Sequence, residues 1–215
     1  MKRQQRRRAK IFNLPNQLTG MRLVLAVVMF VLIGMDYYLA SMVLFIIAAS
    51  TDWLDGYYAR KYGQVTTFGR ILDPFADKVI ICGTFILVAA IPQMLATPGG
   101  LRSWMVVVLV GRELLVTALR SFIEERGGDF SANLSGKLKM VFQCVAAAVC
   151  LFYLDYLAKA HWPGVAAAAN LGPPPAPAWV WYLMVVSIWS TLAITIYSGL
   201  VYIFVAIRLL RRHSP

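Results

Sequence analysis

A chain of 215 residues with 60% hydrophobic and only 14% charged side chains, at a mean hydropathy of +0.66, carries more apolar sequence than one small core buries. That excludes an ordinary water-soluble domain and predicts an all-α integral membrane protein. The formal charge of +11 gathers at the ends of the apolar runs, where topology and anionic lipid headgroups account for it, so no nucleic acid is expected as a partner.

Residues 1–16 read as a basic cytosolic arm. The apolar run behind Met1–Lys10 is too long for a signal-peptide core and lacks a small-residue cleavage site, so the arm is expected to be retained. Pro15 fits the start of the first helix. At about twenty apolar residues per crossing, residues 17–215 predict a single domain, a six-transmembrane-helix bundle with spans at roughly 17–36, 38–60, 70–91, 103–124, 136–158 and 179–207. Between the last two spans, Gly164, Gly172, Pro173, Pro174, Pro175 and Pro177 predict an extended external loop over 160–178. Trp162, Trp179, Trp181 and Tyr182 flank it as an interfacial aromatic belt. Cys82, Cys144 and Cys150 lie inside apolar stretches without metal-ligand spacing and read as small hydrophobes, with no disulfide. With the N-terminus in the cytosol, all of the 21 lysines and arginines except Arg102 and Lys159 fall on the cytosolic side or half, so both termini are placed there. Asp36 and Asp155, at external helix ends, are expected to be solvated.

Four aspartates stand at the facing ends of the second and third spans: Asp52, Asp55, Asp73 and Asp77. Spacings of i, i+3 and i, i+4 put each pair on one helix face. The short link between Arg60 and Gly69 makes the helices antiparallel neighbours, so the four carboxylates are expected to converge on one cavity open to the cytosol. Carboxylates at bilayer depth cost several kcal/mol each, about 3 on insertion scales, which argues for a water-filled, cation-holding cavity. A salt-bridge network with Arg60, Arg70 and Lys78 leaves too much negative charge unmatched. Carboxylate oxygens suit Mg²⁺, Mn²⁺ or Ca²⁺, and without His or Cys nearby zinc is not expected. Two such ions about 3.5–4 Å apart would clamp a pyrophosphate for in-line displacement. Gly56 and Ala59 leave the wall bare for a nucleotide diphosphate, Gly69 clears the opposite helix, and Arg60 forks onto phosphate oxygens. Pro74 either kinks the third helix or marks its first turn.

The segment Asp52–Asp77 resembles the signature of the CDP-alcohol phosphotransferase family, Asp-x-x-Asp-Gly-x-x-Ala-Arg, eight residues, then Gly-x-x-x-Asp-x-x-x-Asp, with every fixed position present. The resemblance implies a six-helix, dimeric enzyme of the bacterial inner membrane that moves a group from a CDP-linked lipid onto an alcohol and releases CMP. It further implies two divalent cations, Mg²⁺ or Mn²⁺, on Asp52, Asp55 and Asp73, with Asp77 beside them as general base, and a CDP site lined by Gly56, Ala59, Arg60 and Gly69. The strings Asn13–Arg22, Leu72–Lys78, Gly111–Arg120 and Ser135–Lys139 look like phosphatidylglycerophosphate synthases, which join CDP-diacylglycerol to sn-glycerol 3-phosphate. Cardiolipin, phosphatidylserine and phosphatidylinositol phosphate synthases share the aspartates and differ in the acceptor pocket. An ion-coupled transporter also uses intramembrane carboxylates, but neither extra spans nor inverted repeats are evident.

For the acceptor, Arg112 sits near the middle of its span and Arg120 two turns later on about the same face, so both should face the cavity. Glu113 points about 100° away from Arg112 on a helical wheel, which makes an anionic ligand the expected partner of that arginine. Lys137 and Lys139 add charge for the dianionic phosphate, snorkelling to lipid headgroups being the alternative for Lys139. Thr19 and Arg22, one turn apart, either bind the CDP or lipid phosphate or, for Arg22, pair with an acidic residue of the second or third helix.

Overall fold

The computed structural model describes residues 14–62, 67–125, 134–160 and 176–212, with side chains at 20–51, 74–123, 138–159 and 176–208. The basic arm before residue 14 and the proline-rich segment over 161–175 lie outside the described residues. Those described form helices and no strand: α1 (Leu14–Gly34), α2 (Tyr38–Tyr62), α3 (Thr67–Ala90), α4 (Pro92–Ala96), α5 (Ser103–Glu125), α6 (Leu134–Ala160) and α7 (Ala178–Arg212). The six long helices coincide with the apolar segments of the sequence. α1 starts three residues earlier than expected, taking Leu14–Asn16 from the arm. The five-residue α4 is an addition.

Local chemistry explains several boundaries. α1 ends in a Schellman motif: the Asp36 amide donates to Ile33 O (3.2 Å) and the Tyr37 amide to Leu32 O (2.9 Å), with Asp36 at φ 64° in the left-handed position glycine usually takes. The Tyr38 hydroxyl donates to Asp36 Oδ1 at 2.5 Å, so this aspartate has a protein partner as well as the solvent contact expected of it. Pro74 stands inside α3, well past its first turn, and so deprives the carbonyl four residues earlier of its helical donor. α4 begins with Pro92 at its first turn. Arg102 covers the following turn by donating to the carbonyls of Leu95 and Thr97. Asp155 pairs with Lys159 one turn on, at 2.7 Å.

The long helices pack as a closed ring in the order α1, α3, α5, α7, α6, α2, with α3 also touching α6 across the middle. Its interior is filled by Met29, Phe45, Phe85, Leu151, Leu154 and Met184, each at most 2% exposed. A smaller cluster, Val116, Ile123, Tyr202 and Ala206, joins α5 to α7. At Gly83 a Cβ would lie 2.3 Å from Phe30 Cζ, so α1 and α3 approach as they do only because that position has no side chain.

The outer surface is apolar as well. Val107 (70%), Phe204 (69%), Tyr197 (65%) and Val24 (62%) point outwards from three different helices, α5, α7 and α1, which in water would be an aggregation surface and in lipid is a solvated one. Leu138–Lys159 of α6 and Ala178–Arg208 of α7 are long and apolar enough to cross a bilayer. The three cysteines are free thiols.

Candidate active site

A cavity of about 360 Å³ opens between α3, α5, α6 and α7. Asp77 and Lys78 reach it from α3, Arg112, Glu113 and Arg120 from α5, Lys139 and Gln143 from α6, and Tyr202 from α7. The helical spacing on α5 does what the sequence predicts: Arg112 and Arg120, two turns apart, line the same space.

Asp77 is a quarter exposed and accepts from Arg22 Nη1 at 2.9 Å. Arg22 itself is 2% exposed, and it pairs with an acidic residue of the third helix, one of the two expectations for it. The ion pair fixes the carboxylate's direction and ties α1 to α3 beside the cavity.

The opposite wall holds a mixed cluster of buried charge. Glu113 Oε1 accepts from Lys139 Nζ and, at 3.2 Å, from Gln143 Nε2, and Arg112 Nη1 stands 3.7 Å from the same oxygen. Arg112 also donates to Ser198 Oγ and lies over the Tyr202 ring, 5.4 Å from its centroid, a cation–π contact that suits a guanidinium out of water. Its stem crosses α7 at Gly199, where a Cβ would come within 3.1 Å of Arg112 Cγ. The expectation that Glu113 points away from Arg112 is therefore corrected. The wheel angle describes Cα–Cβ directions, whereas two long side chains bend towards a shared charge. Lys139 is buried and ion-paired, not snorkelling to the surface.

Among the described side chains, charge does not balance in the cavity. Lys78, Arg112, Arg120 and Lys139 face two carboxylates, Asp77 and Glu113, and the Nε atoms of Arg112 and Arg120 are buried with no hydrogen-bond partner among the described residues. An unmatched excess of positive charge out of water is costly, so these described side chains suit an anionic ligand carrying about two negative charges.

Of the other residues singled out by sequence, Asp52, Asp55, Gly56, Ala59 and Arg60 fall on the last turns of α2, Gly69 and Asp73 on the first turns of α3, Thr19 on α1 and Lys137 on α6; their side chains lie outside the described residues. Among the described side chains no cluster of three metal-ligating groups occurs. The sequence reading did not single out Gln143, Ser198 and Tyr202. Gln143 was detectable as a polar residue one turn beyond Lys139 inside an apolar span; Ser198 and Tyr202 look like ordinary helix-packing residues.

The model of the CDP-alcohol phosphatidyltransferase family matches residues 12–197, a stretch that contains all four aspartates and the whole cation cluster. The chain belongs to the CDP-alcohol phosphatidyltransferase family. It is 36% identical over 158 residues to the CDP-diacylglycerol–glycerol-3-phosphate 3-phosphatidyltransferase of Bacillus subtilis, covering 66% of this chain and 78% of that one. The protein of the same name from Escherichia coli K12 is 36% identical over 154 residues with the same coverages. That from Mycoplasma pneumoniae is 33% identical over 167 residues, 68% of this chain and 70% of its own.

Proposed function

We propose that the protein transfers the phosphatidyl group of CDP-diacylglycerol to sn-glycerol 3-phosphate, giving phosphatidylglycerophosphate and CMP. The observation that carries this reading is the cavity in which Asp77 faces Arg112, Arg120 and Lys139, an acid on one wall and an excess of cations on the other. Relatives at 33–37% identity named for that reaction support it.

The acceptor brings a phosphate of about −2 charge near neutral pH, which matches the excess cations of the cavity and the planar forks of Arg112 and Arg120. Lys137 and Lys139 reinforce them. With its phosphate held there, the primary hydroxyl approaches Asp77. The hydroxyl oxygen attacks the lipid-side phosphorus, the bond from that phosphorus to the bridging oxygen breaks, and CMP leaves with the electron pair. Asp77 takes the hydroxyl proton. Arg22 holds the Asp77 carboxylate in place for that transfer; Thr19 stands one turn before it. The CDP moiety lies over Gly56, Ala59, Arg60 and Gly69.

The donor set Asp52, Asp55, Asp73 and Asp77 is made of hard oxygens and fits two divalent cations, Mg²⁺ or Mn²⁺. When bound they supply charge neutralisation on the pyrophosphate. In our reading all six long helices cross a bacterial inner membrane, both termini are cytosolic, and the protein works as a homodimer surrounded by membrane lipids. The skew of basic residues supports that orientation.

Purified protein in mixed micelles with CDP-diacylglycerol, offered glycerol 3-phosphate, serine, inositol phosphate or phosphatidylglycerol in turn, tests the assignment. CMP and a new lipid are expected with glycerol 3-phosphate. Turnover with one of the other acceptors in its place contradicts it.

A further inference from the structure

Glu113 has no part in the reaction as derived so far, yet it is a carboxylate in the acceptor cavity. All three of its contacts, with Lys139, Gln143 and Arg112, fall on Oε1. Its second oxygen makes no hydrogen bond among the described residues, and it is not one of the buried polar atoms lacking a partner. Oε2 is therefore accessible, on a side chain that lines the cavity and is fixed from behind by two cations and an amide. A carboxylate oxygen only accepts hydrogen bonds when ionised. What it fits is a neutral donor, a hydroxyl, on a ligand whose phosphate sits on the neighbouring guanidinium groups.

We propose that Glu113 is a specificity residue for the acceptor alcohol, its Oε2 accepting a hydrogen bond from the secondary hydroxyl while the primary hydroxyl faces Asp77. The proposal rests on the reaction assigned above and deepens it. Three features of a three-carbon phosphoalcohol then meet three different groups: phosphate on Arg112 and Arg120, central hydroxyl on Glu113, reacting hydroxyl on Asp77. Gln143 and Lys139 act as positioning residues by holding Oε1. A site built to bond a hydroxyl rejects the analogue that lacks it, because a desolvated carboxylate is left without a donor.

The test compares kcat/KM for glycerol 3-phosphate and for 3-hydroxypropyl phosphate, which lacks only the secondary hydroxyl. The wild type is expected to prefer glycerol 3-phosphate by about 10- to 100-fold, the range for a hydrogen bond to a charged group. In Glu113→Ala the ratio falls to near one. In Glu113→Gln, whose amide oxygen still accepts, it is intermediate. The ratio cancels any loss of folded protein or of Lys139 placement, which lowers both acceptors alike. A wild-type ratio near one, or a wild-type ratio retained in either variant, overturns the role of Glu113. A wild-type protein that turns over neither acceptor overturns the assigned reaction itself.

Discussion

In the proposed reaction Asp77 serves structure and chemistry together. Its 2.9 Å bond to the buried Arg22 orients it, and its place on the cavity wall gives the acceptor access. As a general base it contributes about 10²–10⁴ in rate, so Asp77→Asn, which is nearly isosteric, is expected to lower CMP release by that factor while CDP-diacylglycerol binding is largely kept; equal loss of binding and turnover contradicts the assignment. Arg120, with a buried Nε lacking a partner, is expected to act differently. Arg120→Met should raise KM for glycerol 3-phosphate by about 10-fold or more, as loss of a charged hydrogen bond does, and leave KM for CDP-diacylglycerol within about two-fold. A rise in both constants would show that Arg120 serves the nucleotide lipid. Asp77 and the two arginines were legible in sequence because charges in apolar spans stand out. Glu113 was legible as a charge but not as a neighbour of Arg112, since side-chain bending is invisible to helical-wheel geometry.

Among the elements, the long helices were legible from the length of each apolar run, and their boundaries followed within a few residues. Three features had no such signal. α4 is too short for periodicity to register, Pro74 reads equally as helix start or helix interior, and the closeness of α1 to α3 depends on a contact between residues far apart in sequence. That contact is testable. Gly83→Ala places a methyl against Phe30, and overpacking of this kind costs about 1–3 kcal/mol. The thermal midpoint in detergent is expected to fall, and Phe30→Leu added to it should recover part of the loss. Independent effects in the double variant would mean that the two positions do not share one contact.

At the scale of the molecule, the ring of six helices buries a main apolar core and a smaller cluster between α5 and α7, leaves an apolar exterior and opens a charged cavity between α3, α5, α6 and α7. The proposed orientation predicts that a protease-cleavable tag inserted near residue 168 is cut from outside intact spheroplasts and that a tag following residue 215 is cut only after lysis. The reverse pattern overturns the topology. The family was legible from eight fixed positions between Asp52 and Asp77 and the cations of the cavity from charges inside apolar spans, whereas the contacts that Lys139 and Gln143 make with Glu113 needed the folded chain, because they join α6 to α5.

In the proposed mechanism, hard-oxygen cation ligands and an anion-binding wall act on one reaction. CMP release by the purified protein from CDP-diacylglycerol, measured with and without glycerol 3-phosphate and with and without EDTA, tests it most directly. CMP is expected only when the acceptor is present, in equal amount to the phosphatidylglycerophosphate formed, abolished by EDTA and restored by excess Mg²⁺ or Mn²⁺. CMP release that persists without acceptor, or that EDTA leaves unchanged, would contradict it.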